Sequence, residues 1–186
     1  STATFGMNVV DWEQRVDMER LRTERLSRLK AQLESSECGA LLTFDFHNIR
    51  YMTATHIGTW AMDKMIRFAL LPRGGEPVLW DFGSAAKAHR LQLPQLYDMT
   101  NSVGGNTGLQ GAISPAVGLQ KRAAEEIRSV LKEDGVGDMP LGVDLAETTV
   151  FLELQRAGID VRRPSPPAAS GAAAAPRPRA DAASGP

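Results

Sequence analysis

Ala40-Leu41-Leu42-Thr43-Phe44-Asp45-Phe46-His47-Asn48-Ile49-Arg50-Tyr51-Met52-Thr53-Ala54 is the stretch whose reading decides the fold. Ala40 to Phe44 is short and apolar and follows Gly39, so it reads as a buried strand. An acidic turn at Asp45 breaks that strand. Asn48 then caps a one-turn helix, its side chain placed to accept from free amides of the turn. Arg50 and Tyr51 follow: a forked cation suited to carbonyls or a carboxylate, and an apolar ring carrying a hydroxyl.

Before this stretch, Asp11 to about Ser35 is rich in good helix formers. Met18, Leu21, Leu26, Leu29 and Leu33 recur at threes, fours and fives, which predicts an amphipathic helix with one face to bury. After it, the apolar runs Ile66 to Leu71 and Val78 to Phe82 flank a Gly74-Gly75 turn, the pattern of an antiparallel hairpin. A helix is expected from Ser84 to about Leu91, stopped by Pro94, and a weak strand from Leu96 to Thr100. Four glycines between Asn101 and Ile113 read as a loop. Ser114-Pro115 opens a helix, with Ser as cap and Pro at the first helical position, and Val117, Ala124, Ile127, Val130 and Leu131 among its apolar positions. Leu141 to Asp144 is a strand, Ala146 to Ala157 a helix closed by Gly158, and Ile159 to Val161 begins a last strand. This alternation predicts an α/β layer fold with a mixed sheet covered by helices.

With 186 residues, the chain has room for one packed domain plus a tail, or at most two very small domains. A formal charge of -1 gives no reason to expect nucleic acid or an anionic membrane as partner. No apolar run approaches the roughly 20 residues of a bilayer span, and Ser1 to Trp12 has no secretory pattern. The single cysteine, Cys38, excludes an internal disulfide framework and fits a reducing cytoplasm, where it reads as a small buried apolar residue. No HExxH, zinc-spaced Cys/His cluster, GxSxG or Walker loop is present.

The strand, turn and Asn48-Ile49-Arg50-Tyr51-Met52-Thr53 string, in this order of elements, resembles the signature of the amino-terminal domain of the creatinase, prolidase and aminopeptidase P superfamily. The resemblance covers about Trp12 to Val161. It implies a ribonuclease H-like mixed sheet flanked by helices, and an Xaa-Pro peptidase as the full-length relative. It also implies that the catalytic metals, a divalent pair held by two Asp, one His and two Glu, belong to a carboxy-terminal domain beyond this chain. The chain alone would then be inactive and hold no cofactor. In the full-length relative the partners would be a second copy in a homodimer and a small molecule or dipeptide bound at the dimer interface; the oligomeric state of this chain by itself is left open.

Candidate binding residues lie in the connection that follows the motif. Thr55-His56-Ile57-Gly58-Thr59-Trp60-Ala61-Met62-Asp63-Lys64 holds a His, a Gly and a Trp in a loop. In creatinase-like relatives the equivalent connection reaches toward the neighbouring subunit's substrate, so the resemblance implies that Trp60 covers a partner's active site, with His56 beside it. An indole face suits a cationic head group, and the connection also looks like that of the dimethylsulfoniopropionate lyases of the same superfamily. The bland alternative for Trp60 is a hydrophobic plug in the dimer contact. Arg67 could bind a substrate carboxylate, against the reading of an ordinary edge charge. His47 and His89 are weaker candidates, in a turn and on a helix's polar side. Asp45, Asp63, Asp81, Asp98 and Asp144 lie at strand ends and turns, where Asp caps and solubilises.

The expected organisation is an arm at 1–11, a domain at 12–162 and a disordered tail at 163–186. Residues 164–186 are almost all Ala, Pro, Ser, Gly and Arg, and cannot bury enough apolar surface to offset ordering entropy. Two readings of the tail are open, a tethering linker on an interaction module and an out-of-frame continuation of a truncated enzyme. The second is favoured because Gly158-Ile159-Asp160-Val161 looks like the start of the domain's last strand.

Overall fold

The computed structural model describes residues 17–56, 67–81, 85–86, 88–89, 102–104, 115–144, 146 and 148–163, with 102–104 as backbone. A helix, α1 (Met18–Glu34), precedes β1 (Ala40–Thr43) and α2 (Phe46–Thr53). β2 (Phe68–Pro72) and β3 (Val78–Asp81) form the expected hairpin around the glycine turn. β4 (Ser102–Gly104), a 3-10 turn at Pro115–Val117, α3 (Leu119–Glu133), β5 (Leu141–Val143), α4 (Thr148–Arg156) and β6 (Val161–Arg162) complete the order.

The six strands form one mixed sheet in the order β4-β3-β2-β1-β5-β6. β1 pairs antiparallel with β2 and parallel with β5. The alternation of β2 divides the core in two. Phe68 and Leu70 point to the face covered by α3 and α4, where Ile127, Leu131, Val150 and Leu154 meet Leu42, Phe44 and Trp80. Ala69 and Leu71 point to the other face, under Leu26 and Leu33 of α1 and Ile49 and Met52 of α2. Side chains of a strand alternate between faces, so a sheet covered on both sides needs such a continuously apolar strand. Phe68 stacks on Trp80 at 4.8 Å between ring centroids, and the Trp80 indole donates to Glu126 of α3 at 2.9 Å.

Close approach explains one glycine. A Cβ on Gly39 would lie 2.4 Å from the Cβ of Met139, so only glycine lets β1 start against the turn that feeds β5. Arg73, just past β2, locks the end of α1 by donating to the carbonyls of Ser36 and Cys38. Cys38 is half-buried beside the α1/α2 core rather than fully enclosed.

Four local expectations are corrected. The cap of α2 is Asp45, whose carboxylate accepts from the amides of His47 and Asn48 at 2.9 and 3.1 Å. Asn48 lies inside the helix, because Asp45 is already extended and so stands at the position from which a side-chain oxygen reaches the first free amides. β4 falls within the glycine-rich stretch read as loop, because its backbone pairs in parallel with the free edge of β3; the strand expected at 96–100 lies outside the described residues. Ser114-Pro115 does not open α3. Gly118 takes φ 70°, interrupts the chain after a 3-10 turn, and leaves Val117 exposed. β6 begins at Val161, with Ile159 turned into the core instead.

The carboxyl of Asp134, at the carboxyl end of α3, is raised above its ordinary value by burial first and then by Glu133. A raised acid binds its proton more tightly folded than unfolded, so stability falls as pH rises through that range. The negative end of the helix dipole adds to this cost. Asp134→Asn is therefore expected to stabilise the chain at neutral pH, by less than about 1 kcal/mol because the group is largely exposed, with the gain vanishing in acid; urea unfolding at the two pH values checks it. Asp45→Ala should cost about 1 kcal/mol in the same assay. A loss for Asn48→Ala with none for Asp45→Ala would return the cap to Asn48.

Candidate functional site

A shared carboxylate gathers the carboxyl end of β1. Asp144, directly after β5, accepts from the Phe44 amide at 3.0 Å, from the Asn48 side-chain amide at 2.9 Å and from the Thr43 hydroxyl. One carboxylate thus joins β5 to β1 and to the first turn of α2. The reading of Asp144 as a solubilising turn residue is corrected: it is an acceptor shared by three elements, which the pairing of β1 with β5 brings together.

His56, Phe46 and His47 form a patch at the same end of the molecule. The Phe46 ring meets His56 edge-on at 4.9 Å and His47 at 5.2 Å. Both histidines are exposed and Phe46 is half-buried. The helix that ends at Thr53, followed by Ala54 in the left-handed region at φ 56°, turns the chain so that His56 comes back beside the start of α2. Tyr51 is 38% exposed, with the Arg25 guanidinium 5.7 Å from its ring centre. Trp60, the residue on which the sequence places most weight, lies outside the described residues, as does Asp63.

Arg67 is not an edge charge. Its side chain is 2% exposed and lies 3.1 Å from Asp81, which is fully buried at the end of β3. The guanidinium also donates to the hydroxyl and carbonyl of Thr55, and the second Asp81 oxygen meets Nδ1 of His89. His89 is buried too, so its placement on a polar helix side is corrected. The hairpin brings positions 67 and 81 together, and a buried ion must be paired. That explains why residues read as edge and turn charges ended up inside. Arg67 therefore ties both hairpin strands to the end of the α2 connection, close to His56 but with its fork engaged inside the chain.

The metal pair implied by the resemblance does not fit these residues. Asp45 serves an N-terminus, Asp144 holds three donors, and Asp81 neutralises Arg67. Among the described residues no three His, Cys, Asp or Glu side chains gather as ligands.

No protein-family model matches the sequence, and no curated protein matches it. Solved structures do. An Xaa-Pro dipeptidase from Bacillus anthracis superposes with a TM-score of 0.50 and 13% identity, over 77% of this chain and 34% of that one. An Xaa-Pro aminopeptidase chain from Streptococcus pyogenes superposes with a TM-score of 0.51 and 16% identity, over 78% of this chain and 93% of that one. The chain has the fold of these peptidase chains. It spans about a third of the length of the dipeptidase it matches. The helix-flanked mixed sheet expected from the sequence is thereby established.

Removing one partner of a buried ion pair leaves the other charge without compensation. Arg67→Met should cost about 3–5 kcal/mol in urea unfolding, and Arg67→Met with Asp81→Asn should recover part of it. A single variant within about 1 kcal/mol of the parent would show that this pair does not hold the hairpin to Thr55.

Proposed function

We propose that this chain is the non-catalytic domain of an Xaa-Pro peptidase-type metalloenzyme of the cytoplasm, and that it works by assembly and by shaping a substrate pocket. The observation that carries this reading is the match to one third of an Xaa-Pro dipeptidase, over most of this chain. The metal pair would belong to a separate domain, since the carboxylates described here are spent on architecture. The connection that follows α2, with His56 and Trp60, would close over the substrate of a neighbouring subunit in a homodimer. Two features support that placement. The connection leaves from a helix pinned at both ends, by Asp45 and Asp144 at the start and by the Arg67 bonds to Thr55 beyond its finish. It also begins with an exposed imidazole already backed by an aromatic ring.

The purified chain, supplied with a divalent metal, is expected to leave an Xaa-Pro dipeptide uncleaved and to sediment as a dimer. Cleavage above background would overturn the non-catalytic assignment. A monomer at all accessible concentrations would remove the assembly role.

A further inference from the structure

Beyond this reading, the sheet holds a second place suited to a ligand. The chain leaves β1 toward one face of the sheet, where α2 packs beside α1. It leaves the neighbouring strand β5 toward the other face, where α4 packs beside α3. β1 and β5 are parallel, so their carboxyl ends open side by side while the segments after them diverge.

A cavity of about 310 Å³ lies on the β6 side of β5, between the end of β5, the start of α4 and the residue after β6, and is lined by Val143, Asp144, Ala146, Thr148, Phe151 and Arg163. Its lining divides by chemistry. Val143, Ala146 and Phe151 offer an apolar wall. Asp144 is a scaffold group here, its oxygens already accepting from Thr43, Phe44 and Asn48. What remains for a ligand are donors, the Thr148 hydroxyl and the Arg163 guanidinium, for which no hydrogen bond is found among the described residues. In contrast, the adjacent Arg162 is occupied by Asp160 at 2.9 Å. A planar guanidinium opposite an apolar wall is matched by a planar acceptor on an apolar body.

We infer that this cavity binds a small organic carboxylate, its carboxylate forked by Arg163 and assisted by Thr148, its body against Phe151 and Val143. The occupant is set by shape as well as charge: an inorganic anion lacks the apolar part, and a neutral amide lacks the charge that Arg163 requires.

Titration of the full chain with benzoate, benzamide and inorganic phosphate, followed by amide-resolved NMR, tests this. Benzoate is expected to give saturable shifts confined to 143–151 and 161–163, with phosphate and benzamide binding at least about tenfold more weakly. Arg163→Gln, at an exposed position where folding is not at stake, should weaken benzoate by about tenfold or more, and Arg163→Lys by less, because a lysine keeps charge without the fork. Thr148→Val should weaken it further in the same direction. The assignment is overturned if benzoate gives no saturable shift, if benzamide matches it, or if Arg163→Gln binds benzoate as the parent does.

Discussion

β1 has an antiparallel neighbour on one side and a parallel neighbour on the other, and Asp144 is what closes the parallel side. A parallel pair cannot be joined by a tight turn, so nothing local holds the ends of β1 and β5 in register. The carboxylate supplies that hold. It takes the first amide beyond β1, the hydroxyl of the last β1 residue and the side-chain amide of Asn48. Charge-assisted hydrogen bonds of this kind are about twice as strong as neutral ones. The direction in which α2 leaves the sheet follows from the same group, and with it the side of the sheet that α1 and α2 cover.

The second polar device lies at the far side of the hairpin. Burying Arg67 and Asp81 removes two charges from water, a cost their attraction offsets only when the remaining donors and acceptors are also met. Thr55 and His89 meet them. The return is positional: an internal ion pair specifies where the end of the α2 connection sits relative to β2 and β3. The domain thus spends its charged groups at two strand ends on geometry. Arg163, beside Phe151, is held by neither device.

Much of the fold was legible along the chain. The α1 helix, the apolar run of β2 and the glycine turn of the hairpin are properties of neighbouring residues, and all three formed. α1 nevertheless starts at Met18 behind an Asp17 cap instead of at Asp11, and fully buries only Leu26 and Leu33 of the expected face. The motif after β1 was located correctly but its roles were exchanged. Asp45 and Asn48 are both good caps, and composition does not say which is already extended and which is already helical. Nor does the glycine content of 102–104 reveal a strand, since that segment becomes one only because β3 offers it an edge. Of the candidate binding residues, His56 is exposed in the connection after α2. Arg67 has turned inward, through a contact the linear pattern does not contain.

What the residues determined by themselves were most of the elements and their order, β4 excepted, because helix period, strand alternation and turn chemistry act within a few positions. What only the tertiary structure decided was the work of each charge. Thr43, Phe44 and Asn48 lie 96 to 101 positions from Asp144. Such groups meet only after the sheet has paired, and a carboxylate read along the chain looks the same whether it will face water, cap a helix or hold two strands together.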